Sequence, residues 1–271
     1  MLRKVSFSIV AAAFLACSSG AGIVSPALAA EPAHFVLVHG AWHTGAAWDG
    51  VIEGLRKRGY SAEAITLPGY GPNNGDPSTA TLADDTAALV ALLQKQTQPV
   101  ILVAHSAGGV VVQQAVPKAA AKVAEVVFFD AFLADDGKRL LDSLPPDIKT
   151  AYEKTAAENH NTLPVPEGLV RHVLMPEDSK ADQDMVISHL VTQPYGYYTG
   201  TVDAAAFAKA PVKRAFLFAT DDKSLPPGAF KGMVAALGAF DEADIPGGHE
   251  VIFTNPDAVA GGLAALADKL K

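Results

Sequence analysis

Six short apolar runs recur along the chain, separated by stretches of helical period, and this alternation limits the folds open to it more than any other feature. The runs are Phe35-Val36-Leu37-Val38, Ser61 to Leu67, Val100 to Ala104, Val126 to Phe129, Ala215 to Ala219 and a weaker Asp241 to Ile245. Val, Ile, Leu and Phe without polar alternation mark strands buried on both faces, as in a parallel sheet. Helices are expected at about 47–58, 81–95, 108–121, 227–238 and 256–270. Such an order gives an α/β fold, a mostly parallel sheet of about six strands flanked by helices. Reactive groups in these sheets gather beyond the carboxyl ends of the strands, so the residues after each run are where chemistry is sought.

Composition narrows the function classes. Of 271 residues, 49% are hydrophobic and 18% charged, which excludes a disordered chain or a coiled coil. A single Cys excludes a disulfide scaffold or a multi-cysteine zinc module. The first residues read as a secretory signal peptide over 1–29: basic Arg3 and Lys4, an apolar stretch from Val5 to Ala16, and the small-residue triplet Ala27-Leu28-Ala29. The apolar stretch is too short to span a bilayer, for which roughly 20 residues are needed. A stable membrane span is therefore not expected, and the destination is the periplasm or the medium. The alternative is lipid anchoring through Cys17. Removing the leader leaves 19 basic against 29 acidic residues, a net charge of −10, which disfavours nucleic acid as a partner.

Residues 30–271 form the expected domain, interrupted once. Roughly eighty residues, rather than one helix, separate the fourth run from the fifth, and they contain seven prolines and the cluster Tyr195, Tyr197 and Tyr198. An insertion of this length at the carboxyl edge of a sheet is expected to be a small cap, spanning about 134–210. Its tyrosines, with Trp42, are candidates for lining a substrate pocket.

The strongest chemical signal follows the third run, where Ala104-His105-Ser106-Ala107-Gly108-Gly109 puts a serine on a strand-to-helix turn. Such a turn projects a hydroxyl beyond the sheet only if the residues two before and two after are small. The usual form is Gly-x-Ser-x-Gly, and here Ala104 stands in the first glycine position. Serine requires a base, and the base an orienting acid. His249, after the last run in Pro246-Gly247-Gly248-His249, is the candidate base. Asp222 is favoured over Asp221 as the acid, with Asp130, also at a strand end, in reserve. Backbone donors for an oxyanion are expected from Ala107 and from Ala41, in the loop His39-Gly40-Ala41-Trp42-His43. His39 and His43 leave a strand in a Gly-rich loop with no third ligand in view, so no metal is expected. Glycines spaced as Gly-x-Gly-x-x-Gly do not follow the first run, so no dinucleotide cofactor is expected either.

These residues together resemble the α/β-hydrolase superfamily, and within it the compact branch of EstC-like bacterial esterases, plant methylesterases and hydroxynitrile lyases. The likeness covers residues 30–271 in outline. It is sharpest at His34-Phe35-Val36-Leu37-Val38-His39-Gly40-Ala41-Trp42-His43, the Ser106 turn, Asp222-Lys223-Ser224-Leu225-Pro226 and Gly247-Gly248-His249. The resemblance implies Ser106 as nucleophile, His249 as general base and acid, Asp222 as its orienter, and the amides of Ala41 and Ala107 as oxyanion hole. It implies a cofactor-free enzyme acting on a small-molecule ester or lactone through an acyl-enzyme. Two alternatives share the fold: a ligand-binding sensor that turns over slowly or not at all, and a cyanohydrin lyase. The lyase reading is weakened because Glu250 follows His249 where the lyases use a lysine.

Overall fold

The computed structural model describes residues 33–235, 237–238 and 240–270. The expected leader over 1–29, with the triplet Ala27-Leu28-Ala29 and Cys17, lies outside the described residues. Strands β1 (His34–Val38), β2 (Ser61–Ile65), β3 (Val100–His105), β4 (Val123–Phe129), β5 (Lys213–Ala219) and β6 (Asp241–Ile245) form one sheet in the order β2-β1-β3-β4-β5-β6. Every pairing is parallel. Helices α1 (Asp49–Lys57), α2 (Leu82–Lys95), α3 (Gly108–Ala119), α4 (Ala229–Ala235) and α5 (Pro256–Asp268) connect or follow the strands. The second strand stops two residues earlier than its apolar run suggests.

Side chains alternate between two cores, because successive residues of a strand face opposite sides of the sheet. Val36, Val38, Leu102, Ala104, Val126 and Phe128 face one core, shared with Leu89 and Leu93 of α2 and Val111 and Ala115 of α3. Phe35, Leu37, Ile101, Val103, Val127 and Phe129 face the other, closed by Val51 and Leu55 of α1 and Val259 and Leu263 of α5. Helix starts follow local chemistry. Thr81 caps α2 reciprocally with Asp84, and Asn255 caps α5 ahead of Pro256 at its first position.

Reading outward from β1, the chain first builds β2 on one side and then crosses to β3 on the other. The loops after β1 and β3 meet at this reversal, on the carboxyl edge where sheets of this kind place their reactive groups. The insertion between β4 and β5 lies against that edge. It holds the helices Pro146–Glu158, Lys180–His189 and Ala204–Lys209, and a two-stranded antiparallel ribbon of Thr162–Leu163 and Gln193–Pro194. Trp42 docks it: its amide donates to Gln193 Oε1 (2.9 Å), its indole to the Leu163 carbonyl (3.1 Å), and its carbonyl accepts from the Val191 amide (2.7 Å). Among the described residues no helix is long and apolar enough to cross a membrane.

At the start of α3, a Cβ on Gly109 would collide with the Phe132 carbonyl. Gly109→Ala is therefore expected to cost about 1–3 kcal/mol, the usual range for overpacking. Gly232, on α4 and facing open space, serves as the control: Gly232→Ala should be neutral or stabilising by up to about 1 kcal/mol. Urea unfolding checks both, through a shifted midpoint at unchanged slope.

Candidate active site

Ser106 occupies the last turn before α3 with φ of +50°, a left-handed conformation that costs a non-glycine residue energy and persists only under packing from all sides. That packing is visible. Gly40 lies so close that a Cβ there would sit 2.9 Å from the Ser106 Cβ. The Ser106 amide donates to the Phe129 carbonyl (3.2 Å), and its own carbonyl accepts from the amides of Gly109 (3.1 Å) and Phe132 (2.9 Å). Ala104, in the position usually held by glycine, is fully buried on β3 between Val38 and Phe128, so its methyl is absorbed by the core.

The Ser106 hydroxyl is 2.9 Å from His249 Nε2, and His249 Nδ1 is 2.7 Å from Asp222 Oδ2. All three side chains are almost fully buried. Asp222 is fixed in turn by the Ser224 amide, which donates to its Oδ1 at 2.7 Å, while the Ser224 hydroxyl stands 3.2 Å from His249 Nδ1. Asp221 is engaged elsewhere, bonded through its amide and carboxylate to Gly247. The structure therefore brings Asp222, not Asp221 or Asp130, to the imidazole. Burial opposes charge on His249, but the adjoining Asp222 carboxylate, with Glu250 nearby, raises its pKa above the ordinary histidine value. Burial likewise opposes charge on Asp222, and His249 and the Ser224 donors hold its carboxyl below the usual carboxylate range.

Around the serine, the residues expected to supply backbone donors are both present. Ala107 is the first residue after Ser106, and Ala41 follows Gly40. Among the described residues neither amide donates to a backbone carbonyl. Trp42, at φ of +60°, turns the chain just after Ala41. Of the aromatic candidates, Tyr197 is buried with its hydroxyl on the Ala107 carbonyl. Tyr198 packs edge-on against Tyr197 and Tyr152, and Tyr152 packs edge-on against Trp42. Tyr195 is only partly buried and joins the insertion through its amide to the Asn161 carbonyl (3.1 Å).

Several further groups hold the site in roles that the sequence did not assign to them. His43 lies between the Ala41 carbonyl (Nδ1, 2.6 Å) and Glu250 Oε2 (Nε2, 3.1 Å), joining the loop after β1 to the residue beside His249. Burial opposes ionisation of Glu250, but His43, His249 and His105 outweigh it and bring its pKa down to about 2. His105 is 3.1 Å from the His249 carbonyl through Nε2, and burial lowers its pKa to about 3. His39 bonds the Gly40 carbonyl (2.8 Å) and accepts from the Leu67 amide (3.1 Å); burial, which leads over the opposing Gly40 bond, lowers it to about 3. A serine two residues after an aspartate is a turn signature that could have marked Ser224. His43 and Glu250 are 207 residues apart and carry no local signature.

Glu250→Gln should destabilise the fold by about 1–3 kcal/mol at neutral pH, because His43 loses its buried carboxylate partner. The pKa of Glu250 is depressed on folding, so its contribution is complete above the ordinary value of about 4.3 and is lost as pH falls toward about 2. Urea titrations at pH 7 and pH 3 should therefore show a larger acid-induced loss in the parent chain than in the variant.

Comparison with known proteins assigns the fold to a family. Residues 35–261 match the model of the alpha/beta hydrolase family. A carbendazim-hydrolyzing esterase from Nocardioides is 28% identical over 86% of this chain and 99% of its own length. Salicylic acid-binding protein 2 of Nicotiana tabacum is 26% identical over 88% of this chain and 98% of its own. An extracellular α/β-hydrolase from a Paenibacillus species, described as sharing structural and functional homology with that tobacco protein, superposes with a TM-score of 0.81 at 26% identity. The superposition covers 87% of this chain and 99% of that one. The relatives include esterases, which supports a hydrolase acting on ester bonds, and the chain belongs to the α/β-hydrolase family.

Proposed function

We propose that the protein is a serine hydrolase that cleaves a small carboxylic ester or lactone through an acyl-enzyme. The observation that carries this reading is the continuous hydrogen-bonded chain from Asp222 through His249 to Ser106, at 2.7 and 2.9 Å. In this mechanism Ser106 Oγ attacks the carbonyl carbon while His249 Nε2 takes its proton. The oxyanion that forms accepts hydrogen bonds from the amides of Ala41 and Ala107, and the N-terminus of α3 adds a favourable field. Collapse expels the alcohol, which receives the proton from His249. Water then attacks the acyl-Ser106 carbonyl with His249 again as base; collapse releases the acid, and His249 returns the proton to Ser106 Oγ. Asp222 holds the Nδ1 proton and stabilises the imidazolium.

Catalysis requires His249 neutral before attack, and its buried carboxylate neighbours favour the charged form. The same carboxylates, Glu250 above all, make the site a poor place for a departing cyanide, so hydrolysis is favoured over cyanohydrin cleavage. An intact chain of proton-transfer groups likewise favours turnover over a silent sensor. The insertion, docked through Trp42 next to the loop that carries Ala41, supports a small substrate. The leader over residues 1–29 and the extracellular Paenibacillus relative support export of the protein.

Ser106→Ala should lower kcat toward p-nitrophenyl acetate by about a millionfold, the scale of losing a serine nucleophile, while the thermal unfolding transition is retained. In the parent enzyme kcat/KM should rise with pH through an ionisation above about 6.5, because His249 is raised from that value. Full activity in the alanine variant would remove the mechanism. An acid limb centred below 6.5 would contradict the electrostatic account of His249.

A further inference from the structure

A second buried carboxyl lies behind the Asp222–His249 pair, and the mechanism above gives it no task. Asp130 directly follows β4, 1% exposed, with φ of +36°. Its amide donates to the Leu217 carbonyl (3.1 Å) and its Oδ2 accepts from the Ala219 amide (2.9 Å), both on the neighbouring β5. The Ala219 carbonyl in turn accepts from the Asp222 amide (3.2 Å), so one residue of β5 fixes both acids. The two carboxyl groups are within hydrogen-bonding reach of each other.

A direct hydrogen bond between two carboxyl groups requires that one of them carry a proton, since two carboxylates have only acceptors to offer. The allocation follows from the surroundings. Asp222 has His249 on one oxygen and the Ser224 amide on the other, and both partners favour its ionised form. Asp130 lies beside Asp222, and among the described residues its carboxyl otherwise receives one backbone N–H. Its charged form is opposed first by burial and then by Asp222, and His249 offsets this only in part. The proton therefore resides on Asp130.

We propose that Asp130 is a positioning residue that, as a neutral acid, donates a hydrogen bond to Asp222 and thereby holds the Asp222 carboxylate in line with His249 Nδ1. The arrangement rests on the reading of Ser106, His249 and Asp222 as the reacting groups. It assigns Asp130 no contact with substrate. It also ties Asp130 to the serine turn, because Phe132, two residues further on, donates its amide to the Ser106 carbonyl. Deprotonation of Asp130 at alkaline pH would replace the hydrogen bond by repulsion between two buried carboxylates, so kcat should fall on that side of the profile.

The test compares the parent enzyme, Asp130→Asn and Asp130→Ala, with Ser106→Ala as reference, in p-nitrophenyl acetate hydrolysis across acid, neutral and alkaline pH. Asparagine can reproduce both bonds, its NH2 donating to Asp222 and its carbonyl accepting from Ala219, and it has no proton to lose. Asp130→Asn should therefore keep kcat at neutral pH and lack the alkaline fall. Asp130→Ala should lose about 10- to 100-fold in kcat at little change in KM, the range for one hydrogen bond to a charged group. The parent-minus-Asp130→Asn infrared difference spectrum in D2O at neutral pH should show one carboxylic-acid C=O stretch lost in the variant, while the bands of the other buried acids, Asp85 and Glu125, whose pKa values burial also raises, cancel. That reading stands even if the alanine variant fails to fold. Equal impairment of the asparagine and alanine variants, or a carboxylic-acid band unchanged in Asp130→Asn, would overturn the proposal. Activity surviving in Ser106→Ala would instead overturn the reading of the reacting groups on which it rests.

Discussion

The turn at Ser106 is the constraint around which the rest of the site is arranged. A serine at φ of +50° between a buried strand and a helix is stable only if the backbone on every side is close and fixed. Gly40 from the loop after β1 and the Asp130–Phe132 segment after β4 provide that closeness, one against the Ser106 Cβ and the other against its carbonyl. Both belong to strands adjacent to β3, so the parallel order of the sheet delivers them without further devices. The small residues on either side of Ser106 are a consequence of this crowding.

Burial of so many ionisable groups at one sheet edge demands compensation, since each would otherwise cost several kcal/mol. The compensation is organised in two connected chains. One runs from Ser224 and Asp222 through His249 to Ser106. The other runs from Glu250 through His43 to the Ala41 carbonyl. Because His249 and Glu250 are consecutive, the residue that would move protons and the loop that would bind the oxyanion are held by one short segment. A disturbance of Glu250 is thereby communicated to the loop after β1 by direct contact.

Much of this was legible in the sequence, and the limits have physical causes. The six runs identified the six strands of the main sheet; the four inner strands are apolar on both faces and show no competing period, whereas the edge strands Ser61–Ile65 and Asp241–Ile245 carry polar, partly exposed residues and stand out less. The Ser106 turn, Asp222 and His249 were visible because each follows a strand end, where local composition changes abruptly. The partnership of His43 with Glu250 was not visible, and neither was the hold of Gln193 on Trp42, since contacts across much of the chain leave no local pattern. Pro145 and Pro146, part of the irregular composition of the insertion, open a helix from Pro146 to Glu158, because proline is well suited to a first helical position. The tyrosine cluster was legible as apolar mass at the cap. Its division was not: Tyr197 reaches the Ala107 carbonyl, Tyr198 packs among other rings, and Tyr195 stays at the margin.

The central claim is that the buried chain ending at Ser106 activates that hydroxyl. The most direct measurement is exposure of the folded protein, from Ala30 onward, to a fluorophosphonate, followed by intact mass and peptide mapping. A single adduct located at Ser106, and lost on heat denaturation before exposure, is the result expected from the geometry. A folded protein that acquires no adduct, or acquires it on another residue, would contradict the account.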